Sequence, residues 1–283
     1  MILLVDSNYI CHYVMYQSLS LSYGNIGTGI LFSFFRTVLT LQEKIDAEVI
    51  VFIWDSRINK RKKIYSDYKG NRVINPEALA VLEIAHEQFD ALRTTLLDKF
   101  GFQNIFWQSG YEADDIIASI VGDVYGGPFF DGITIASPDK DLYQLLDENI
   151  QMYNPKTKKT YTDKNFREEY NIEPAQWSEV LAIAGCTTDN VKGINNIGVK
   201  RAIGYLNGTC KDWIKETVSS NEKIISRNRE LVKLPFKGTK DFELKFNDKF
   251  YLDDFLDICE WYNFRSFTKD DNLDRWEKAF NME

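Results

Sequence analysis

Three short apolar runs in this chain stop at acids: Ile2–Val5 before Asp6, Glu48–Trp54 before Asp55, and Gly132–Ala136 with Asp139 close behind. Each is dominated by aliphatic residues, with Ile in all three, and edged by polar residues, as suits a strand buried on both faces. Longer segments with helical spacing separate them. These are Gly29–Leu41, then Pro76–Phe100 with Asn75 as its N-cap and Glu77 in its first turn, and Glu112–Val124, closed by Gly126-Gly127-Pro128. Strands alternating with helices predict an α/β fold on a central, twisted, mostly parallel sheet with helices on both faces. Ligands of open α/β sheets collect at the carboxyl ends of strands, so the three acids are expected on one rim. Asn104–Trp107 reads as another short strand, Ile150–Tyr153 with Lys159–Thr162 as a lysine-bearing hairpin, and Pro174–Ala184 as a helix. A further helix is expected from Leu142. From about Thr209 the chain is mixed in charge and weakly periodic, and no element stands out.

At 283 residues and 44% hydrophobic, the chain can fill one large core, or a core and a smaller appendage. No apolar run reaches bilayer length, and the opening Met-Ile-Leu-Leu-Val-Asp lacks a basic n-region, so neither a membrane span nor a signal peptide is expected. Cys11, Cys186, Cys210 and Cys259 are scattered without a CxxC pair, which fits reduced thiols in a cytoplasmic protein. Only His12 and His86 are present, so a His-rich metal site or Ser-His-Asp catalysis is disfavoured. The net charge of −8 counts against a polyanionic partner. Its distribution counts the other way: residues 57–72 hold seven basic side chains against one acid, Asp67. The wider stretch 56–75 is polar and interrupted and reads as a mobile connection.

Glu112, Asp114 and Asp115 stand at a helix start, and Asp139 and Asp141 straddle one lysine after a strand. Taken singly they have ordinary explanations, in the helix dipole or an N-cap. Joined by Asp6 and Asp55 on one rim they would repel strongly unless cations sat among them. Oxygen donors without His suit hard ions, Mg²⁺ or Mn²⁺. Such ions favour phosphoryl chemistry, activating water and stabilising a leaving oxygen.

The strings VDSNY, FIWDS, YKGNR, GYEADD, SPDKDLYQLL and GCTTDNVKGINNIGVKRA occur in that order over roughly residues 2–205. Each alone is weak, but the ordered series resembles the phage and bacterial 5′-nuclease family of flap endonucleases and 5′→3′ exonucleases. The resemblance implies a PIN-like sheet, a helical arch at about 56–90, and a DNA-binding module of helix-turn-helix type. It implies a nuclease core over 1–172, with a helical DNA-binding module and a C-terminal segment packed on the core over 173–283. The implied activity is structure-specific cutting of 5′ flaps and 5′→3′ exonuclease action, including removal of RNA primers. The implied partner is branched or 5′-ended duplex DNA, or an RNA/DNA hybrid, met by a monomer in bacterial or phage-infected host cytoplasm.

Position by position, Asp6, Asp55, Glu112 and Asp114 resemble the ligands of a first metal, and Asp115, Asp139, Asp141 and Asp189 those around a second. Lys69 and Arg72 match the basic pair at the foot of the arch that contacts the scissile phosphate, where a cation would stabilise developing charge. Arg61 and Lys62 are expected to steer the single strand. Tyr9 and Tyr68 are candidates to stack on an end base, with core packing as the alternative. Gly193, Gly198, Lys200 and Arg201 resemble the DNA-gripping turn, in which glycines admit phosphate to backbone N–H groups. Family members hold a K⁺ there, at 193–198, through main-chain carbonyls. Nothing in the turn would read base edges, so recognition should follow DNA shape.

The pattern breaks at Cys186, which takes the place of a second-metal carboxylate. A thiol is softer and normally neutral, and Mg²⁺ gains little from it. One reading is a weakened second site that needs more metal or prefers Mn²⁺; the other is a buried structural cysteine beside a working site. Two rivals to the nuclease reading share its scaffold: a non-catalytic DNA-junction binder and a PIN-like ribonuclease. Lys69 and Arg72 with the remaining carboxylates count against the first, and the YKGNR segment with the glycine-containing turn counts against the second.

Overall fold

A computed structural model describes residues 1–18, 21–24, 26–72, 76–127 and 131–282. Asn75 and Pro128, the expected helix cap and helix stop, lie outside the described residues. Six strands form the main sheet: β1 (Ile2–Asp6), β2 (Val49–Trp54), β3 (Ile105–Trp107), β4 (Ile133–Ala136), β5 (Ile150–Asn154) and β6 (Lys159–Tyr161). Their order is β3-β2-β1-β4-β5-β6, parallel throughout except for the β5–β6 hairpin. The chain leaves β1 toward β2 and β3 on one side and later fills β4 and β5 on the other. The order therefore reverses beside β1, and the crevice at the carboxyl ends of β1 and β4 is the switch point where ligands settle.

Side chains alternate across a strand, and here both faces are dry. Leu3, Val5, Ile50, Phe52 and Trp54 meet the helices Ser7–Ser18 and Gly29–Ile45, the helical stretch 76–100, and the terminal helices Leu252–Trp261 and Asp270–Phe280. Ile2, Leu4, Val49, Val51 and Ile53 meet Ala113–Val124, Trp177–Ala184 and Glu222–Val232. Burying each such side chain is worth roughly 1.5–3 kcal/mol. Two-sided burial accounts for the unbroken apolar runs.

The C-terminal third serves both faces. Helices up to Val232 share the first core with the strands. The chain then returns along the β3 side, where Asn104 and Lys245 exchange hydrogen bonds of 2.8 and 2.9 Å. Phe255, Trp276 and Phe280 finally close on Phe100 in the second core.

Two expectations are corrected. The helix expected from Leu142 is a short 3-10 segment, Lys140–Leu145. The Asp139 side chain accepts the N–H of Asp141 (2.9 Å), and Gln144 reaches the carbonyls of Asp141 and Val232, so local polar bonds hold the tight turn. The stretch 56–72 is not a free connection either. It folds through a 3-10 turn, Lys60–Lys63, and lies against the carboxylates, with Arg61 and Tyr68 both 2% exposed. The helix Pro76–Ala91 follows and packs on the core, where Gln88 accepts the N–H groups of Ile30 and Leu31 (3.1 and 3.3 Å). That contact caps the helix Gly29–Ile45, whose own Thr28 makes no side-chain cap.

Candidate metal centre

The acids converge at the switch point. Asp6 ends β1, buried, and accepts the Tyr9 N–H (2.9 Å) and the Ser137 hydroxyl (3.0 Å) from beyond β4. Asp55 follows β2 and accepts the Ala113 N–H (2.7 Å) at the first turn of the helix Ala113–Val124, while its own N–H donates to Asn8 (2.9 Å). Glu112 and Asp114 flank that helix start, and Asp139 and Asp141 arrive after β4. Burial and the neighbouring Asp55 push the Asp6 carboxyl up to about 7. Burial with Asp139 and Asp189 pushes Asp141 up to about 8, and burial with Asp139 and Asp6 takes Asp114 well above the carboxylate range. Burial raises Asp55 as well. Carboxyls that cannot all ionise together mark a place for cations. Oxygen donors in this arrangement fit Mg²⁺ or Mn²⁺.

Glu112 behaves differently. Burial alone would raise it, but Lys69 and Arg61 beside it hold it below its ordinary value. Lys69 Nζ is hydrogen-bonded to Glu112 Oε1, which also accepts from Asn59 (2.9 Å), and Oε2 accepts from Tyr68 (2.9 Å). Lys69 also lies 3.5 Å from Asp189, and the half-exposed Arg72 reaches Asp189 at 3.2 Å. The backbone holds this arrangement: Lys69 is left-handed (φ 53°), and its N–H donates to the Asp189 carbonyl (2.8 Å). Asn71 and Asn190 tie the two segments together with bonds to the carbonyls of Thr187 (3.1 Å) and Asp67 (2.8 Å).

The structure removes three residues from their expected roles. Asp115 is fully buried and forms two 2.7 Å bonds to the Arg61 guanidinium. It also accepts the N–H groups of Phe236 (2.9 Å) and Glu112 (3.0 Å), so its lone pairs are spent within the protein and none faces a metal. Arg61, which donates in addition to the Leu231 carbonyl (2.8 Å), is an internal cation and cannot steer a strand. Tyr68 bridges Glu112 and Asp189 (2.7 Å to the latter) from inside the core, out of reach of a base. Lys62 is exposed. Tyr9 is half-buried beside Asp6 and stacked on Tyr13 (6.1 Å).

The carboxylates of the expected first site feel one another's charge, but the tightest grouping lies elsewhere. Among the described residues, ligand atoms fall within 4.8 Å of one another in one trio, Asp141, Cys186 and Asp189. Cys186 Sγ lies 3.7 and 3.8 Å from the Asp141 oxygens and 3.0 Å from the Thr188 hydroxyl. Burial, then Asp141, pushes this thiol up to about 12, so it is neutral at pH 7.

The turn after Val191–Lys192 runs beside this trio. A Cβ on Gly193 would stand 2.1 Å from the Ala184 carbonyl carbon, so Gly193 is required by backbone packing rather than by a phosphate. Gly198 has open space around it and precedes the helix Val199–Leu206, with Lys200 and Arg201 exposed. Arg201 stacks over Trp213 (5.2 Å). A cavity of about 760 Å³ joins this turn to Asn71, Thr187 and Asn190. Asn8, Asn59 and Ser137, which hold the acids, were not singled out from the sequence. Asn8 and Ser137 carry one signal, polarity within two residues of a strand end; Asn59, five residues past Trp54, lacks even that.

The 5′-3′ exonuclease N-terminal resolvase-like domain model matches residues 1–171. A 5′-3′ exonuclease of Aquifex aeolicus is 31% identical over 229 residues, 78% of this chain and 76% of that protein. The phage T5 D15 protein, co-crystallised with metal ions, superposes with a TM-score of 0.71 at 23% identity over 83% of this chain and 89% of its own. The phage T5 D15 flap endonuclease in a complex with DNA and metal ions gives 0.68 at 22% identity over 83% and 89%. At those identities the two structures speak for the fold. The match over residues 1–171 runs through every strand of the sheet and both strand-end acids of β1 and β2, and it makes this chain a member of the 5′-3′ exonuclease family.

Proposed function

We propose that this protein is a structure-specific, metal-dependent 5′ nuclease that hydrolyses phosphodiesters near 5′ ends and 5′ flaps of duplex DNA. The observation that carries the reading is the set of buried, mutually repelling carboxylates at the switch point, faced by Lys69 and Arg72. Asp6, Asp55, Glu112 and Asp114 would hold one divalent ion, and Asp139, Asp141 and Asp189 a second, weaker one beside the neutral thiol of Cys186. When bound, such ions supply Lewis acidity and lower the pKa of a water nucleophile. The chain's own residues do the rest. Lys69, pinned by a left-handed backbone between Glu112 and Asp189, presents a fixed cation to the phosphoryl oxygens. Arg72, more exposed, contacts the same phosphate as it arrives. The duplex backbone would lie along Gly198, Lys200 and Arg201, read by charge and shape.

In this reading residues 1–172 form the nuclease core and 173–283 the DNA-gripping helices and a buttress. A K⁺ in the 193–198 turn would draw on main-chain carbonyls, of which those of Ile194 and Asn196 already accept hydrogen bonds. No helix among the described residues is long and apolar enough to cross a membrane, and we assign the protein to the cytoplasm as a monomer acting on DNA or RNA/DNA primers. The test compares a 5′-flap DNA duplex, an RNA-primed duplex and single-stranded RNA, each with and without Mg²⁺. Mg²⁺-dependent cutting of the branched substrates supports the nuclease. Cutting of single-stranded RNA alone would favour a PIN-like ribonuclease, and metal-independent binding without cutting would favour a junction binder.

A further inference from the structure

The turn 69–72 stands between two cavities. Asn71 lines the one along Gly193–Gly198, and Arg72 lines another, of about 590 Å³, that also carries Asp55. We infer that this second cavity is a pocket for the 5′-terminal nucleotide, which it holds by its phosphate monoester. The inference rests on the nuclease reading. A strand that sets its scissile phosphate against Lys69 lies beside Arg72, which shares Asp189 with Lys69 and lines this cavity.

Its lining has the required chemistry. Arg57, Arg72 and Arg93 contribute three cations against two acids, Asp55 and Asp90. Asp90 pairs with Arg57 (2.9 Å) and Arg93 (2.8 Å) together, so one buttressing acid brings two guanidiniums side by side. A guanidinium has five donors, and Asp90 takes one from each arginine. The rest of each planar fork matches phosphate oxygens. Arg93 lies over Trp107 (5.1 Å), which fixes its plane. Both histidines of the chain are here too: His12 and His86 stand edge-on to Phe89 with ring centroids at 5.2 and 5.6 Å. They add ring N–H groups and flat surface for a sugar and base. The volume of about 590 Å³ lies within the ~300–1,000 Å³ usual for small-ligand sites. Apart from Asp55, none of this lining is needed to hold a metal.

The experiment uses two duplexes identical except for a 5′-phosphate or a 5′-hydroxyl. Release of the first nucleotide is measured in Mg²⁺ under single-turnover conditions. The phosphorylated end should be cut about tenfold faster or more, the fold-change of one charge-assisted hydrogen bond. In Arg57→Ala and in Arg93→Ala that ratio should fall toward one, and a nucleoside 5′-monophosphate should inhibit them less than the wild type. Arg57 is 68% exposed in its side chain, so its truncation leaves the fold intact, and a melting curve verifies this. Equal rates on the two ends with normal cutting would overturn the pocket while leaving the nuclease standing, as would a ratio unchanged in both variants. Failure to cut either duplex would overturn the nuclease reading itself.

Discussion

Truncating Arg61 should injure the fold before it injures DNA binding. The side chain is 2% exposed and its partner Asp115 is 0% exposed. Two 2.7 Å bonds join them, and further bonds reach Leu231, Phe236 and the Glu112 N–H. Arg61→Ala leaves Asp115 as an uncompensated charge in a dry interior, a change that costs about 3–5 kcal/mol. Unfolding entropy near 2.1 cal/mol/K per residue gives roughly 0.6 kcal/mol/K for a chain of this length, so Tm should drop by about 5–8 °C. Arg61→Lys should recover little, because one ammonium cannot serve both carboxylate oxygens and the Leu231 carbonyl. Asp115→Asn should cost a similar amount. Thermal melts in EDTA read the stability and calorimetric titration with Mg²⁺ reads the metal. If Asp115→Asn melted with the wild type but lost Mg²⁺ affinity, Asp115 would be a metal ligand and the buried-network account would be wrong.

Three further outcomes are expected. Lys69→Ala should lower kcat by roughly 10²–10³ with little change in KM for DNA, since its cation meets charge that develops in the transition state; a pure KM effect would reduce it to a binding residue. Cys186→Asp should tighten the weaker Mg²⁺ site in a calorimetric titration, and unchanged affinity would leave Cys186 a packing residue. The third concerns pH. Asp6 and Asp141 stand above their ordinary 3.8, at about 7 and about 8, in the metal-free fold, so the folded chain holds protons that the unfolded chain has lost. Their stabilising share is complete below 3.8 and is lost as pH rises through 7 to 8. Mg²⁺ should therefore raise Tm more at pH 8 than at pH 5, and equal gains at both would contradict the assignment.

The sheet was legible in the sequence because burial on both faces leaves no alternation to decode: Ile2–Val5 and Glu48–Trp54 read as strands at sight. The acids were legible because they sit at strand ends and a helix start. What escaped was decided by distant partners. Arg61 sits in a run of four basic residues and looks solvated, and only Asp115, 54 positions away, makes it an interior residue. Asp115 differs from Asp114 by one helical step, about 100°, which turns it from the carboxylate cluster into the core; nothing local distinguishes the two. The helix Ser7–Ser18 was missed because it follows β1 without a connecting residue, so no turn signal separates them. The terminal helices Leu252–Trp261 and Asp270–Phe280 each interleave four acids with their apolar residues, and their burial depends on aromatic rings of the other elements.

The central claim is that the carboxylates at the switch point bind the divalent ions that do the cutting. The most direct measurement is the single-turnover rate on a 5′-flap duplex as Mg²⁺ is raised from zero, for the wild type and for Asp114→Ala. Asp114 is half-buried beside Asp6 and Asp139 and is absent from the Arg61 network, so its truncation should spare the fold. The expected result is no cutting without Mg²⁺, saturable cutting by the wild type, and a rate at least about 10²-fold lower in the variant at every Mg²⁺ concentration. Equal rates in the two proteins, or cutting that survives EDTA, would contradict it.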